Sequence, residues 1–525
     1  MIDVLLVGLL LVAVIWSVYK LVSHAFVINT IVIIFSILIL VYLITNANSW
    51  QLILSLGCPL MLFNTILFVF VKEKRSGSKT DDPFLVQLKT KKETLVLENI
   101  RRGISIIGAA GSGKTESVVL GLLQHFAKHQ FCGVIHDYKD FELTELAYPL
   151  FQKAGIDFYP IGFDTIFYRV NPIAPGYLPD EESVLEVSRV LMENLWEQKE
   201  SGASGTTKFF NDAAEGLIAG LIWKLRADYP QFCTLPHLIA IYQLLDTQSL
   251  VAFLESNQTA RGMASAFIGG LESDRQTAGV KSTLANALKK ISSKKMFLVL
   301  SADEVPLQIN SLEKPGVISI INNPKYETAF APAAATIMHT ITKQMSVRNK
   351  KPAFILMEEA PTLRLLNMHR IPATLRSYHI CTVYVMQDKI QNDLMYGEKA
   401  SRAILSNLSY QFFGKVNDPD TARYYERFFE LIKKETTSIN RSHNLNFDTR
   451  VTKGEREVSK IRANTFFKLK PGEFIAYADG RDTKVQFPFP KPEHCYPVAP
   501  HNYDQETINA NYIKIFDEVK SIFKS

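Results

Sequence analysis

The residues with the most chemistry in their spacing are Gly108-Ala109-Ala110-Gly111-Ser112-Gly113-Lys114-Thr115, a GxxxxGK[ST] run. It follows the apolar segment Ile104-Ser105-Ile106-Ile107 and precedes a helical pattern over residues 116–126. That is the strand–loop–helix context a phosphate-binding loop requires. The glycines let backbone N–H groups turn inward around phosphates, and the start of the helix, at Glu116, adds its partial positive charge. Lys114 reaches the β- and γ-phosphates, and Thr115 offers a hydroxyl to Mg²⁺. The run predicts a site for ATP with Mg²⁺.

Hydrolysis needs two further groups at strand ends, one for the metal and one for the attacking water. Phe354-Ile355-Leu356-Met357-Glu358-Glu359 ends in two acids. Strand alternation sends neighbouring side chains to opposite sides, so the two acids are expected to take different roles. Glu358 is assigned to Mg²⁺ through water, and Glu359 to polarising the nucleophilic water. The apolar run 381–386 ends in Gln387. A glutamine there can bond a γ-phosphate and report its loss, or be an ordinary polar strand end.

These groups need a sheet to hold them. Apolar runs at 94–98, 104–108, 132–137, 317–321, 353–357, 381–386, 411–414 and 473–477 show no polar alternation, which suits a parallel sheet covered on both faces. The predicted fold class is α/β. Residues 180–295 instead read as helices (181–200, 209–227, 235–245, 249–256 and 275–294), an all-helical domain inserted into the α/β one. The glycine- and serine-rich stretch 201–205 breaks it once. The polar, basic stretch 433–460 is expected to be a mobile loop.

Charge divides the chain. Its 525 residues carry a net charge of +6, yet residues 1–71 hold only Asp3 and Lys20. Apolar runs at 4–19, 25–45 and 50–71 predict a three-helix transmembrane anchor, followed by a polar linker over 72–93. Lys20 lies between the first two runs, and Lys72-Glu73-Lys74-Arg75 follows the third. The positive-inside rule then puts the N-terminus outside and everything after residue 71 in the cytoplasm. A cleaved leader is disfavoured, because the stretch before the first run is acidic. Five cysteines without a CxxC pair exclude a zinc ribbon and a disulfide-stapled secreted fold.

The segments Gly108 to Thr115, His136-Asp137-Tyr138-Lys139-Asp140, Asn171-Pro172, Glu358-Glu359, Arg376, Gln387, Tyr396-Gly397 and Leu469-Lys470-Pro471-Gly472-Glu473 occur in the order found in type IV secretion coupling proteins. The chain thus resembles the TraG/TraD-type ATPases of bacterial conjugation over most of residues 95–490. The resemblance implies a RecA-like P-loop core over 94–179 and 296–500, with the all-α domain at 180–295 inserted and a C-terminal helix over 501–525. It implies a hexamer of identical chains. It also implies delivery of a relaxase with single-stranded DNA, or a protein substrate, to a type IV secretion channel at the cost of ATP. By the same resemblance Lys114 and Thr115 are the P-loop pair, Glu359 the catalytic glutamate and Gln387 the γ-phosphate glutamine. Arg376 matches an arginine that reaches a neighbouring subunit's nucleotide, with Arg402, Arg423 and Arg427 as substitutes. The chain departs from the family in having Glu358 where aspartate is usual, in a third apolar run, and in lacking a long acidic tail.

DNA contacts are expected from Lys281, Lys289, Lys290, Lys294 and Lys295, and from Arg441, Arg450, Lys453 and Arg456, or else these are solvated faces. Two other readings stay open: a double-stranded-DNA or secretion pump of the same superfamily, and a nucleotide-binding membrane scaffold without motor activity. An ABC-type transporter is excluded by the missing LSGGQ-like segment and the small number of spans.

Overall fold

The computed structural model describes residues 82–196, 205–441, 449–489 and 491–524. The predicted membrane anchor and nearly all of the linker up to residue 81 lie outside the described residues. Among the described residues no helix is long and apolar enough to cross a membrane.

Thirteen strands are described: β1 (Val86–Lys89), β2 (Thr94–Leu97), β3 (Ile104–Ile107), β4 (Cys132–Asp137), β5 (Asp157–Gly162), β6 (Gly316–Ile321), β7 (Ala353–Met357), β8 (Ile380–Met386), β9 (Tyr410–Phe413), β10 (Leu431–Arg441), β11 (Thr449–Ser459), β12 (Glu473–Ala478) and β13 (Arg481–Gln486). Nine of them make one sheet, in the order β13-β12-β9-β3-β8-β7-β4-β6-β5. The seven from β9 to β5 are parallel, and β12 and β13 extend one edge antiparallel. β3, β4 and β6 to β9 are buried at every position, as expected of strands covered on both faces. The expected apolar runs all coincide with strands, but two depart from the expected parallel sheet: β2 pairs only with β1, antiparallel and largely uncovered, and β12 joins the sheet antiparallel. β5, with Pro160 inside it and Asp157 at its start, sits at the other edge and lacked a clean apolar signal.

Two expectations are corrected. Residues 86–89, read as linker, form β1, which pairs with β2 because Val86 and Leu88 have a buried face to fill. The stretch read as a mobile loop is an antiparallel ribbon of β10 and β11, eleven residues each. Its many lysines, arginines and glutamates left no apolar run to mark the two strands.

Helices fill the interval between β5 and β6. Glu181–Leu195 starts on an Asp180–Ser183 capping box, and Gly205–Asp228, Leu235–Leu244, Thr247–Glu255 and Asp274–Lys289 follow. Asn171 anchors the entry: its Nδ2 donates to Cys233 O (2.9 Å) and its Oδ1 accepts from Ile173 N (3.2 Å). The last helix, Gln505–Ile522, returns to this region. Glu518 Oε2 lies 3.1 Å from His237 Nε2, Lys294 Nζ donates to Asn509 Oδ1 (2.8 Å), and Phe516 stacks on Phe297.

Candidate active site

Parallel neighbours bring four chain segments to one edge. β3, β8, β7 and β4 are consecutive in the sheet, about 4.8 Å apart. Their carboxyl ends therefore place side by side the 108–115 loop, Gln387, the two glutamates and the turn that follows Asp137. Ligands of open parallel sheets bind at such an edge.

The loop after β3 needs glycine where the sequence has it. Gly111 and Gly113 have φ of 71° and 82°, a region side chains disfavour. A Cβ at Gly113 would also stand 2.9 Å from Gly472 N and 3.0 Å from Phe489 Cε1. The Gly472 N–H donates to Ser112 O (2.8 Å), so the 469–473 turn closes against the loop. Lys114 is buried, and its Nζ donates to Gly108 O (2.6 Å). Burial lowers its pKa, opposed by the charge of Glu359. Thr115 is buried at the head of a wide π-type turn, Thr115–Val119, that leads into the helix Leu120–Lys128. Ala110 and Glu116 are exposed, and Ala109 N donates to Lys415 O (2.7 Å).

The two acids do not alternate. β7 ends at Met357, and Glu359 takes a left-handed conformation with φ 44°. This re-aims its side chain, and both carboxylates come within reach of one cation. Lys139 Nζ is 3.1 Å from Glu358 Oε1 and 4.0 Å from Glu359 Oε1. Their other partners differ. Glu358 Oε2 accepts from Tyr138 N (3.3 Å), and Glu359 Oε1 accepts from Gln387 Nε2 (3.1 Å). Burial pushes the pKa of Glu358 up to about 7, helped by Asp137 and opposed by Lys139. Glu359 Oε2 is buried and has no partner, and neither has Ser112 Oγ.

Two carboxylates that share one lysine, one of them with a buried oxygen that has no partner, supply oxygen donors of the kind that suits Mg²⁺. Among the described residues no cluster of three or more His, Cys, Asp or Glu side chains could hold a metal alone.

Arg376 is exposed, on the short turn Arg376–Tyr378 before β8, and its side chain has no hydrogen bond or ion pair among the described residues. Arg402 and Arg423 are paired locally with Glu398 (3.0 Å) and Asp420 (3.1 Å). Arg427 is exposed. Four of the five lysines expected to face DNA have protein partners: Lys281 with Thr247, Lys290 with Leu195 O, Lys294 with Asn509 and Lys295 with Asp164. Arg441, Arg450, Lys453 and Arg456 lie on the ribbon.

Sequence reasoning gave no chemical role to the turn after β4. Asp137 is fully buried and accepts from Thr144 N (2.7 Å) and Thr144 Oγ1 (2.5 Å). It fixes the start of the turn that delivers Lys139 to the glutamates. The available signal was the charged run Asp137-Tyr138-Lys139-Asp140 at the end of an apolar strand.

Residues 352–463 match the family model described as the TraM recognition site of TraD and TraG. Among solved structures, the chain is similar to the bacterial conjugative coupling protein TrwBΔN70 in its unbound monoclinic form, at 14% identity and a TM-score of 0.61. That match covers 81% of this chain and 93% of that one. TrwB in complex with the ATP analogue ADPNP matches at 14% identity and 0.58, over 76% of this chain and 87% of that one. TrwB with ADP and Mg²⁺ matches at 14% and 0.59, over 76% and 88%. At such identity the likeness is one of fold. No curated protein matches the sequence. The match over residues 352–463 and the shared fold together bear out the resemblance of this chain to the TraG/TraD-type coupling proteins.

Proposed function

We propose that the chain is a membrane-anchored P-loop ATPase that acts as a conjugative coupling protein. In this reading it brings relaxase-bound single-stranded DNA, or a protein substrate, to a type IV secretion channel at the inner membrane, and ATP hydrolysis in a hexameric ring drives transfer. The observation that carries the enzyme reading is the Glu359–Gln387 hydrogen bond at the sheet edge shared with the phosphate loop. It joins the group that would activate water to the group that would sense the γ-phosphate.

The chain's own residues divide the work. The N–H groups of Gly108 and Ala109 are bonded to Met386 O and Lys415 O, so the phosphates fall to the backbone N–H groups between Ala110 and Lys114. Lys114 exchanges its bond to Gly108 O for the β- and γ-phosphates. Thr115 and Glu358 hold the Mg²⁺, which supplies charge neutralisation at the phosphates when bound. Glu359 orients the attacking water, and Gln387 holds Glu359 in place and loses or gains a partner as the γ-phosphate leaves. Arg376, exposed and without an ion pair, acts on the nucleotide of a neighbouring copy. TrwB complexes with ADPNP and with ADP and Mg²⁺ support nucleotide binding, and the family description supports a partner of the DNA-transfer machinery.

The test is ATP turnover by the full chain in detergent, with and without single-stranded DNA. Turnover should rise with DNA and lose that rise as salt increases. Mixing Arg376→Ala with Lys114→Ala chains should restore part of the activity that each lacks alone. Tight ATP binding without turnover under any of these conditions would replace the motor with a scaffold.

A further inference from the structure

The reaction above leaves one lysine without a role. Lys139 Nζ sits among three carboxylates, 3.1 Å from Glu358 Oε1, 3.7 Å from Glu142 Oε2 and 4.0 Å from Glu359 Oε1. It is about one-third exposed, whereas both glutamates are buried.

Its placement is built rather than incidental. The Lys139 N–H donates to Asp137 Oδ1 (3.2 Å), the preceding Tyr138 N–H donates to Glu358 Oε2 (3.3 Å), and the following Asp140 N–H donates to Asn322 O (3.1 Å). Asp140 and Phe141 then both take positive φ, 51° and 76°. Two consecutive non-glycine residues in that region cost energy that the surrounding bonds must offset. Tyr138 OH, bonded to Glu327 Oε2 (2.9 Å), pins the other side of the turn. A solvated lysine on a free loop would need none of this.

Two neighbouring buried carboxylates cannot both stay charged without a cation. Lys139 supplies one, and it reaches the acid assigned to the metal. We propose that Lys139 is the site's internal counter-ion, which balances Glu358 and Glu359 in the metal-free state and competes with the divalent ion for Glu358. This rests on reading the site as one for Mg²⁺ and nucleotide.

The experiment titrates Mg²⁺, and separately Mn²⁺, against the full chain in detergent with a fluorescent ATP analogue, and reads the metal concentration that half-saturates binding. Lys139→Met should lower that concentration by roughly five- to tenfold, a typical coupling between adjacent sites, and should leave metal-free nucleotide affinity unchanged. Lys139→Arg, which keeps the charge, should resemble the unaltered chain. Lys139→Gln gives a second neutral variant should methionine prevent folding. An unchanged half-saturating concentration in both neutral variants overturns the proposal. A raised one also overturns it and makes Lys139 a residue that orients Glu358. Absence of metal-dependent nucleotide binding in the unaltered chain would overturn the reading of the site itself, a result distinct from either.

Discussion

The carboxyl edge of the sheet and the inserted helices bury side chains for opposite reasons. At the edge, Lys114, Thr115, Asp137, Glu358 and Glu359 are all buried, and Ser112 Oγ, His136 Nε2 and Glu359 Oε2 have no partner. In the insertion, among the described residues of 180–295, the one buried side-chain nitrogen or oxygen without a hydrogen bond is Trp196 Nε1, at the end of the helix Glu181–Leu195. The interior there is Leu217, Ile222, Leu238, Ile241, Leu254 and their neighbours. Burying an unpaired polar group costs stability, and a chain keeps such groups together where they act on a ligand. The insertion is held by packing; the edge is tolerated for its chemistry.

The sharpest way to break that comparison is a pair of substitutions. Glu359→Gln should lower ATP turnover by roughly 10²–10⁴-fold, the usual contribution of a positioned acid or base. It should not lower the denaturation midpoint, because Oε2 has no partner to lose and Oε1 can still accept from Gln387. Leu238→Ala, fully buried in the helix Leu235–Leu244, should destabilise by about 2–5 kcal/mol and leave turnover per folded chain unchanged. A stability loss in the first variant, or a turnover loss in the folded second, would erase the distinction.

A smaller effect concerns pH, and its sign differs between the two regions. Burial raises Glu358 from its ordinary 4.5 to about 7, so its contribution to stability is complete below pH 4.5 and is lost as pH rises to 7. His339 lies where the core helix Glu327–Met345 meets the insertion's first helix. Burial, then the nearby Lys343, lowers it from 6.5 to about 4. Its contribution is complete above pH 6.5 and is lost as pH falls toward 4. Glu358→Gln should therefore gain stability over the unaltered chain as pH rises from 4.5 to 7, and His339→Gln should gain as pH falls from 6.5 to 4. Denaturation midpoints at a series of pH values between 4 and 8 measure both slopes. Parallel slopes in the two variants would contradict the assignment.

Much of the site was legible because its signals are local. A phosphate loop is contiguous, and the acid pair and Gln387 end apolar runs that coincide with β7 and β8. The α/β class followed from runs without alternation. What stayed hidden depends on neighbours distant in sequence. Strand order sets β4 beside β7 and so brings Lys139 to Glu358, 219 residues away. The positive φ of Glu359 undid the alternation argument, which holds only while the strand continues. The lysines of the insertion carry ordinary solvated-face patterns, and only the fold shows that four of them bond to protein groups.

The ribbon gives the smallest effect and the most controlled test. Its register pairs Lys434 with Arg456 and Asn440 with Arg450, and it pairs Lys433 with Glu457, Glu435 with Glu455 and Thr437 with Lys453. Strand positions alternate with a period of two. Lys434, Arg450 and Arg456 therefore share one parity with no acid among them, whereas Lys433, Arg441 and Lys453 share the other with Glu435, Glu455 and Glu457. Changing either triad to glutamine removes the same charge. Each phosphate contact to a single strand adds about 0.7 to the salt slope of binding. If the ribbon grips DNA, replacing the first triad should lower that slope by about 2, and replacing the second should leave it nearly unchanged. Equal losses from both would mean that net charge, not strand register, draws the nucleic acid. No loss from either would move the grip away from the ribbon.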